Sequence, residues 1–558
     1  MPILNLKLER FFKLLGQKLE KDELINALTG VGVAIEELRA DYVKIEYNPN
    51  RPDFSSPAGL ARALKGILGI ETGIPKFRVL PPKTFLKVDN SVKTVRPWVV
   101  SAYVEGLNLS AEEIEELIAM QEDLHWVVGR NRRKVAIGLH NASAIKPPII
   151  YKAVKGDEIS FVPLKSFRRM TPQEIVEQHE VGRKYGHIVA GTGLFPVIMD
   201  SRGEVLSLPP IINAALTELT EGTETLFIDV TGTDLEAVSG ALNILTTALA
   251  DMGGRIRQVR IVYDNMRMTT PDLRTKTWKL KLSYANDLLG LNLSMREAVR
   301  ALRKSRIGVK KTKGDTIFAE VPAYRLDVMH PVDLVEEIAI GLGYENLQPV
   351  VPRTLGFGKL HPSTNFEDVC REIMFGLGFT EVINFTLSNS TRDYRWMKVE
   401  PQNPVRILNP VSAEYDILRT WLLPSLLYNL TMNKHNLYPQ RLFEIGDVLV
   451  VDESSDEGVR RETRLAFVSS HADTSFSEIK SVTEEFLRSL GLKEWSLREV
   501  EHASFIEGRV AELEVNGVKI GIMGEISPEV LEAFGITMPV SAVEIELQKV
   551  RNLLDKLR

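Results

Sequence analysis

Hydrophobic positions along the chain alternate between helical and strand spacing, with short turn-rich joints between the segments. Residues 17–29 carry apolar side chains at helical intervals and stop at Gly30, a residue type that commonly ends helices. The segments VAIEEL and VKIEY that follow alternate as strands do. The chain shows neither a fixed-period repeat nor a low-complexity tract. The pattern predicts a multidomain α+β protein.

Joints rich in proline, glycine and lysine divide the chain into four predicted domains. PKFRVLPPKTF, at residues 75–85, follows a small mixed α/β domain, and VPRTLGFGKLHP, at residues 351–362, leads into the last domain. Two helical patterns and a hairpin pattern come before this second joint. The predicted domains are 1–84, 85–268, 269–350 and 351–558.

Local sequence also predicts where individual helices begin. Ser56 and Pro57 suit the N-cap and the first helical position, and TPQE at Thr171–Glu174 forms a capping box with proline in its first turn. Just before the first of these helices, Arg51 and Asp53 are either a functional pair or an ion pair within a turn.

Composition narrows the class of protein. A length of 558 residues predicts three or four domains, and 44% hydrophobic residues suffices for packed cores. A net charge of −5 argues against a generally basic surface, so any RNA contact must be local. Cys370 is the single cysteine, which indicates a reducing compartment. Because neither a signal peptide nor a membrane-spanning stretch is recognisable, we expect a cytoplasmic protein.

Four carboxylates surround the predicted start of one helix in VPAYRLDVMHPVDLVEEIAIGLGYENL. Pro331 suits the first helical position, so three of the acids fall in the first turns and share one face. The fourth precedes the helix and can fold back over it, giving oxygen ligands that suit Mg²⁺ or Ca²⁺. Acids in a first turn also complement the helix dipole without any metal. The four are Asp327, Asp333, Glu336 and Glu337.

A basic segment lies immediately before an apolar strand pattern in the second domain. GRNRRKVAIGLHNASAIKPP begins at Gly129 and places four cations next to one another. Such a segment is able to hold phosphates, although it is also typical of a solvated turn. The residues are Arg130, Arg132, Arg133 and Lys134.

Several segments resemble the phenylalanyl-tRNA synthetase beta-subunit family of archaeal and eukaryotic type. The acidic block, with Pro322 and Arg325 before it and Gly343 and Tyr344 after it, resembles the family's magnesium-ligand signature. The segment from Asn48 resembles its Asn-Arg-x-Asp block. The resemblance implies Mg²⁺ at the four carboxylates, in a small domain of helices and strands that is also expected to bind nucleic acid.

Two further blocks resemble the family's editing domain, a mixed α/β domain that hydrolyses mischarged tRNA. They are GEVLSLPPIIN, residues 203–213, and TLFIDVTGTD, residues 225–234. The implied editing residues are Asp229 and Thr231, with Asn213 and the backbone near Pro209 and Pro210 as a supporting wall. Asp229 and Thr231 could instead make hydrogen bonds in a turn before a helix that begins near Asp234. Ala214 and Ala215 depart from the family, where a small polar residue is common.

The last domain resembles a class II synthetase fold, an antiparallel sheet with helices, that has lost its complete active site. RLFEIGDVLVV, residues 441–451, resembles the second class II motif, but the region of the third motif has no arginine for the triphosphate. Arg441 and Glu444 are interpreted as a structural pair.

The resemblance implies a ligase working with an alpha subunit that activates phenylalanine with ATP, in a heterotetramer of two alpha and two beta chains that charges tRNA(Phe). In this interpretation the chain supplies scaffold, tRNA contacts, a magnesium site and editing of tyrosyl-tRNA(Phe). The alternative is a non-catalytic tRNA-binding scaffold with a decayed editing pocket, which the two alanines favour.

Overall fold

A computed structural model describes residues 2–351, 356–401 and 403–557. The chain forms two compact units, residues 1–351 and 352–558. Residues 352–355 of the predicted joint lie outside the described residues. The ranges of the four predicted domains stay predictions, whereas the multidomain α+β character with several separate sheets is confirmed.

The first unit begins with a three-stranded antiparallel sheet packed against helices. The middle strand of the order β1–β3–β2 is paired on both edges. The predicted helix at 17–29 starts later, at Lys21, because Glu20 and Glu23 form a reciprocal cap at its N-terminus. Ser56 caps the third helix as predicted, accepting from Gly59 N at 3.1 Å. The elements are β1 (Ile3–Lys7), α1 (Leu8–Leu15), α2 (Lys21–Gly30), β2 (Ala34–Leu38), β3 (Tyr42–Glu46) and α3 (Pro57–Ile67).

An eleven-stranded mixed sheet forms the centre of this unit. Its path is β11–β10–β9–β8–β5–β13–β6–β12–β7, with β4 and β14 also paired to β13. Helix α7 is apolar on nearly every face and packs on β6 and β12, where it fills the main core. The elements are β4 (Val79–Leu80), β5 (Phe85–Val88), β6 (Trp98–Glu105), α4 (Ala111–Val127), β7 (Val135–Asn141), β8 (Ile149–Lys155), α5 (Pro172–Gln178), α6 (Glu180–Tyr185), β9 (Leu194–Met199), β10 (Val205–Leu208), β11 (Ile212–Asn213), β12 (Thr225–Gly232), α7 (Leu235–Asp251), β13 (Arg255–Val262) and β14 (Arg267–Thr270).

The end of the first unit contains the predicted pair of helices, the hairpin and the acidic helix. The strands pair in the antiparallel order β15–β17–β16, and Gly314 takes the left-handed conformation (φ +54°) that the hairpin turn requires. Pro331 is the first residue of its helix, as predicted. The elements are β15 (Lys276–Lys281), α8 (Leu282–Leu289), α9 (Met295–Lys304), β16 (Gly308–Lys313), β17 (Thr316–Val321) and α10 (Pro331–Leu342).

The second unit is built on a seven-stranded sheet in the order β18–β21–β22–β26–β25–β24–β23. Its pairs are antiparallel except at one edge, where β18 runs parallel to β21. The elements are α11 (Pro362–Gly376), β18 (Thr380–Glu381), β19 (Leu387–Ser388), β20 (Ile417–Leu418), α12 (Leu423–Met432), β21 (Gln440–Val451), β22 (Val459–Ser470), α13 (Phe476–Ser489), β23 (Trp495–Glu499), β24 (Phe505–Val515), β25 (Val518–Ile526), α14 (Pro528–Phe534), β26 (Val540–Glu546) and α15 (Leu547–Leu557).

Among the described residues, none of the helices combines the length and the apolar character that crossing a bilayer requires.

Candidate editing site

A buried polar group lies on β12, the last but one strand in the path of the large sheet. Asp229 is on β12, opposite Gly138 of β7 on one side and Ser101 of β6 on the other. Its side chain is almost fully buried, in a strand whose other positions are mostly apolar. A carboxylate in such a place requires hydrogen-bond partners, because burial without them is costly.

His140 and Ser207 supply those partners. His140 Nε2 lies 2.7 Å from Asp229 Oδ2, and His140 Nδ1 lies 2.7 Å from Thr217 Oγ1. Ser207 Oγ donates to the same Asp229 oxygen at 3.4 Å. An arrangement in which Thr217 donates to Nδ1 and Nε2–H donates to the carboxylate satisfies both ends of a neutral imidazole. Both of these side chains therefore bind the same atom of Asp229, its Oδ2.

Gly138 makes room for this contact. A Cβ at this position would overlap Asp229 Oδ2 and would lie 2.6 Å from His140 Nε2. Because both partners are buried, neither could move aside without leaving its hydrogen bond. A side chain at position 138 is thus incompatible with the His140–Asp229 pair.

Asp229 and Ser207 face a cavity of about 580 Å³. The strands at the two ends of the sheet path come together beside it, since Asn213 Nδ2 on β11 donates to Leu139 O on β7 at 3.1 Å. This closure brings β10, with Ser207, towards β12. The cavity lining includes Ile118, Gln121, Glu122, Arg132, Ile137, Leu164, Ser207, Pro209, Pro210, Asn213 and Asp229.

The predicted editing residues separate into two groups. Asp229 and Asn213 line the cavity, with Pro209 and Pro210 forming wall as expected. Thr231 is fully buried and does not line it; its Oγ1 accepts from Arg96 Nε at 2.9 Å. Both Asp229 and Thr231 lie within a strand, so the alternative interpretation as turn residues is wrong, although Asp234 does cap α7.

Arg96 links Thr231 to the basic segment. Its guanidinium is buried and donates to Thr231 O at 2.8 Å and to Arg133 O at 3.2 Å. Burial lowers the pKa of Arg96 to about 10. Thr231 is therefore a support for the basic segment rather than a part of the cavity.

The four predicted phosphate-binding cations lie in two separate places. Three consecutive residues, Arg130, Asn131 and Arg132, have positive φ, which turns Arg132 away from its neighbours. Arg132 reaches the cavity wall, donating to Ile211 O at 3.0 Å and to Glu122 Oε1 at 2.6 Å. The other three, Arg130, Arg133 and Lys134, line a separate open cleft.

Glu122 is ionised at the cavity rim. Burial acts to raise its pKa, but a hydrogen bond with His125 and the charge of Arg132 outweigh burial and bring the pKa to about 2. The rim therefore carries a charged pair of Glu122 and Arg132.

The alanines that departed from the family lie outside this cavity. Ala214 is buried in a hydrophobic cluster and Ala215 begins a short 3₁₀ helix. Neither is among the described residues that line the cavity. Ala214 and Ala215 favoured the interpretation of a decayed pocket, but they do not alter the polar side chains that line this cavity.

The four acidic residues of the predicted magnesium site are near one another but are not all free. Arg325 binds Asp327 with two hydrogen bonds, of 2.9 and 2.6 Å, and also contacts Glu337. Asp333 Oδ2 accepts from the backbone N–H groups of Met329 and His330, both at 2.7 Å. Burial raises the pKa of Glu336, and repulsion from the other three carboxylates adds to the shift.

Within the part of the chain that the structure describes, no group of three or more His, Cys, Asp or Glu side chains is placed to hold a metal ion. The four carboxylates do not fit a closed magnesium site made by this chain alone. Arg325 pairs with two of them, Asp327 and Glu337, and the backbone N–H groups at the helix N-terminus bind a third, Asp333. A magnesium site at these residues stays a prediction. Near the start of α3, Arg51 and Asp53 form a bidentate ion pair with two hydrogen bonds of 2.9 Å. This agrees with the interpretation of the two residues as an ion pair within a turn.

The expected pair of Arg441 and Glu444 in the second unit is wrong. Residues three apart in a strand point to opposite faces, and both lie on β21. Arg441 Nη2 contacts Glu478 at 3.1 Å, whereas Glu444 binds Arg419 at 2.6 Å.

Comparisons with known proteins bear on this arrangement. The family described as "Phenylalanyl tRNA synthetase beta chain CLM domain" matches residues 347–547, and the "tRNA synthetase B5 domain" family matches residues 278–344. The phenylalanine–tRNA ligase beta subunit of Archaeoglobus fulgidus is 44% identical over 550 residues, which is 98% of each chain. This chain belongs to the phenylalanine–tRNA ligase beta-subunit family. It is accordingly a subunit of an aminoacyl-tRNA synthetase, a ligase.

Other members of the beta-subunit family match over similar lengths. The beta subunit of Methanothrix thermoacetophila is 42% identical over 98% of this chain and is itself covered completely. A solved N-terminal fragment of the phenylalanyl-tRNA synthetase beta subunit from Pyrococcus horikoshii superposes with a TM-score of 0.59 at 38% identity. That superposition covers 61% of this chain and 99% of the fragment.

Proposed function

We propose that this beta subunit works with a separate alpha subunit to attach phenylalanine to tRNA(Phe), and that its own cavity hydrolyses tyrosyl-tRNA(Phe). ATP is a substrate of the complex and is used by the alpha subunit. The observation that carries the editing part is the buried, oriented carboxylate of Asp229 on the floor of a cavity of about 580 Å³. The expected assembly is a heterotetramer of two alpha and two beta chains. Measuring the mass of the co-purified complex in solution tests this stoichiometry.

Physical chemistry explains why a second site is needed. A pocket for phenylalanine rejects a side chain that merely adds a hydroxyl by only roughly a hundredfold, because the surrounding contacts are unchanged. Hydrolysis at a separate site multiplies that discrimination. Tyrosine differs from phenylalanine by one hydroxyl, so tyrosyl-tRNA(Phe) is the expected substrate.

The groups around the cavity suit ester hydrolysis. Both side-chain hydrogen bonds to Asp229 reach Oδ2, so its carboxylate is fixed in one orientation at the cavity floor. A carboxylate in hydrogen-bond reach of a water orients it toward the ester carbonyl and accepts its proton. That proton passes to the ribose oxygen of the tRNA as the ester bond breaks, and tyrosine is released as the carboxylic acid. Gln121 and Asn213 supply polar wall on which the amino acid can be positioned.

The cations of residues 130–134 are proposed as tRNA contacts, divided as the structure divides them. Arg132 faces the cavity, where it would lie close to the terminal ester. Arg130, Arg133 and Lys134 stand outside it, where phosphates would lie.

Magnesium is proposed at the acidic cluster on the strength of the family alone. Mg²⁺ commonly uses one or two protein carboxylates and takes its other ligands from water or other molecules. Glu336 is exposed and free of the Arg325 contacts, so it is the residue of the four that a shared site would use first. No step of the proposed hydrolysis depends on this ion.

The test is hydrolysis of preformed tyrosyl-tRNA(Phe) by the co-purified alpha–beta complex, compared with the same complex carrying Asp229→Ala. The proposal expects rapid release of tyrosine by the first complex and a large loss in the second, with charging of phenylalanine unchanged. If neither complex hydrolyses the ester while both charge phenylalanine, the chain is a scaffold and tRNA platform.

A further inference from the structure

Helix α4 forms one wall of the cavity that contains Asp229, and polar contacts hold this helix from two sides. Ile118, Gln121 and Glu122 of the helix line the cavity. Other residues of the same helix bind α1 and the segment that follows β3. The position of the wall therefore depends in part on groups that lie outside the cavity.

On the cavity side, α4 binds the outer edge of β7. Gln121 Nε2 donates to Ile137 O at 2.7 Å, and Ile137 N donates to His125 Nε2 at 2.9 Å. Because β7 is the last strand of the sheet path, its outer edge has no neighbouring strand, and these two side chains, one helical turn apart, bind the backbone there instead. Ile137 directly precedes Gly138, the residue opposite Asp229.

His125 also connects this sheet edge to the cavity rim. Because Nε2 accepts from the Ile137 N–H, the ring proton is on Nδ1, which donates to Glu122 Oε1 at 3.3 Å. Burial lowers the pKa of His125, so the ring stays neutral at neutral pH and keeps this tautomer. Glu122 in turn binds Arg132 at 2.6 Å. A shift of α4 would therefore displace both the wall and the rim.

On its other side, α4 is bound by two residues from the start of the chain. Tyr47, which directly follows β3, donates from its hydroxyl to Asp123 Oδ2 at 2.9 Å. Arg10 of α1 binds Glu113 at 2.8 Å and Glu116 at 2.9 Å. The side chains of these three ion-paired residues are each no more than 20% exposed, so the pairs are partly shielded from solvent.

These polar contacts link two separate hydrophobic clusters. Leu117, Met120 and Leu124 of α4 belong to the main core, whereas Tyr47 belongs to a second cluster formed with α1, α2 and α3. Apolar packing between such clusters is not directional. The hydrogen bonds of Tyr47 and Arg10 are directional, so they define where α4 lies relative to the second cluster.

We propose that Tyr47 and Arg10 are positioning residues for hydrolysis, because they place α4 and thereby shape the cavity wall that holds the tyrosyl group. The cavity floor does not depend on them, since Asp229 is bound by His140 and Ser207. The contacts of α4 therefore control KM, whereas those of Asp229 control kcat. The proposal rests on the editing function and adds to it the part of the protein that shapes the site from outside.

The test uses the alpha–beta complex and two readouts. The first is hydrogen–deuterium exchange of the β7 segment that contains Ile137, which needs no hydrolysis. The second is the KM and kcat for hydrolysis of tyrosyl-tRNA(Phe). The variants are Tyr47→Phe, Asp123→Ala and the two combined. The matched control is Tyr394→Phe, which removes another buried tyrosine hydroxyl, bonded to Thr420 Oγ1 at 3.0 Å in the second unit.

Tyr47→Phe is expected to raise KM about tenfold or more with kcat little changed, because a small displacement of a binding wall disturbs how the substrate is placed. Exchange at Ile137 should become faster. Asp123→Ala should have the same effects, and the double variant should be no worse than either single variant, because all three lose one shared contact. Arg10→Met should also raise KM, and Arg10→Lys should recover part of the loss. The control should match the wild-type complex in both readouts.

Wild-type KM and exchange in folded Tyr47→Phe would overturn the proposal, as would a double variant whose change in KM is the product of the two single changes. A wild-type complex that hydrolyses no ester, while the variants still exchange faster at Ile137, would refute editing and leave the positioning of α4 standing. A complex that edits normally while the variants match the control would refute the positioning role alone.

Discussion

Gly138→Ala should impair editing by displacing one carboxylate. The added methyl group would overlap Asp229 Oδ2 and would approach His140 Nε2 to 2.6 Å, so the hydrogen bond between them must break or lengthen. A hydrogen bond to a charged group contributes about 1.5–3 kcal/mol, which corresponds to roughly 10–150-fold in a rate when the transition state no longer has it. We therefore expect kcat for hydrolysis of tyrosyl-tRNA(Phe) to fall within that range.

The control for this substitution is Gly191→Ala. A Cβ at Gly191 meets no atom within 4 Å, and its backbone is not in the left-handed region. The assay is single-turnover hydrolysis by the alpha–beta complex, with charging of phenylalanine and thermal unfolding measured on the same preparations. Full hydrolytic activity in folded Gly138→Ala would refute the claim that the His140–Asp229 contact orients the carboxylate.

Three other substitutions test separate parts of the account. His140→Leu removes the donor behind Asp229 and should lower kcat for hydrolysis at least tenfold with KM unchanged, whereas His140→Gln, which keeps a donor, should recover part of the loss. Arg325→Met leaves Asp327 and a second buried carboxylate unpaired, and should lower the free energy of unfolding by about 3–5 kcal/mol in thermal or denaturant unfolding. Glu336→Ala should reduce magnesium content and weaken association with the alpha subunit, measured by elemental analysis and by sedimentation.

Each of these predictions has an opposing outcome. Equal kcat in the two His140 variants would make the histidine a packing residue only. An unchanged free energy of unfolding in Arg325→Met would mean that the carboxylates are neutralised by another cation. Unchanged metal content and assembly in Glu336→Ala would reject the shared metal site.

The Arg325 variant also has a pH signature. Burial acts to raise the pKa of Asp327, but the charge and hydrogen bonds of Arg325 outweigh burial and bring it to about 2. Because this folded-state pKa lies below the usual value of about 3.9, the ion pair stabilises the fold above about pH 4 and that stabilisation is lost as pH falls toward 2. The free energy of unfolding of the wild-type protein should therefore fall between about pH 4 and pH 2. In the variant, which lacks the ion pair, it should fall less over the same pH range.

Local sequence signals were sufficient for features set within one turn of the chain. The capping box from Thr171 to Glu174, the Ser56 cap and the helix start at Pro331 occur as predicted, because each depends on residues at most four positions apart. The hairpin around Gly314 followed from the same kind of signal.

Features set by pairing between distant strands could not be predicted in this way. His140 and Ser207 were missed because nothing near them in sequence indicates that they will meet Asp229, which is 89 residues from one and 22 from the other. The glycine opposite Asp229 was the available signal, but its meaning depends on the register of β7 and β12. Asp229 itself was found through the family resemblance.

Two differences between the sequence-based expectations and the structure have backbone causes. Arg132 was grouped with its sequence neighbours, but three successive residues of positive φ turn it toward the cavity. Arg441 and Glu444 were paired by proximity along the chain, although the strand that contains them sends them to opposite faces. In both cases adjacency in sequence was mistaken for adjacency in space.

The most direct test of the central claim supplies the alpha–beta complex with tyrosine, ATP and tRNA(Phe) and measures accumulated tyrosyl-tRNA(Phe). The account predicts that the wild-type complex accumulates almost none, whereas Asp229→Ala accumulates it steadily and charges phenylalanine at the normal rate. Equal accumulation by the two complexes would contradict the assignment of editing to the Asp229 cavity.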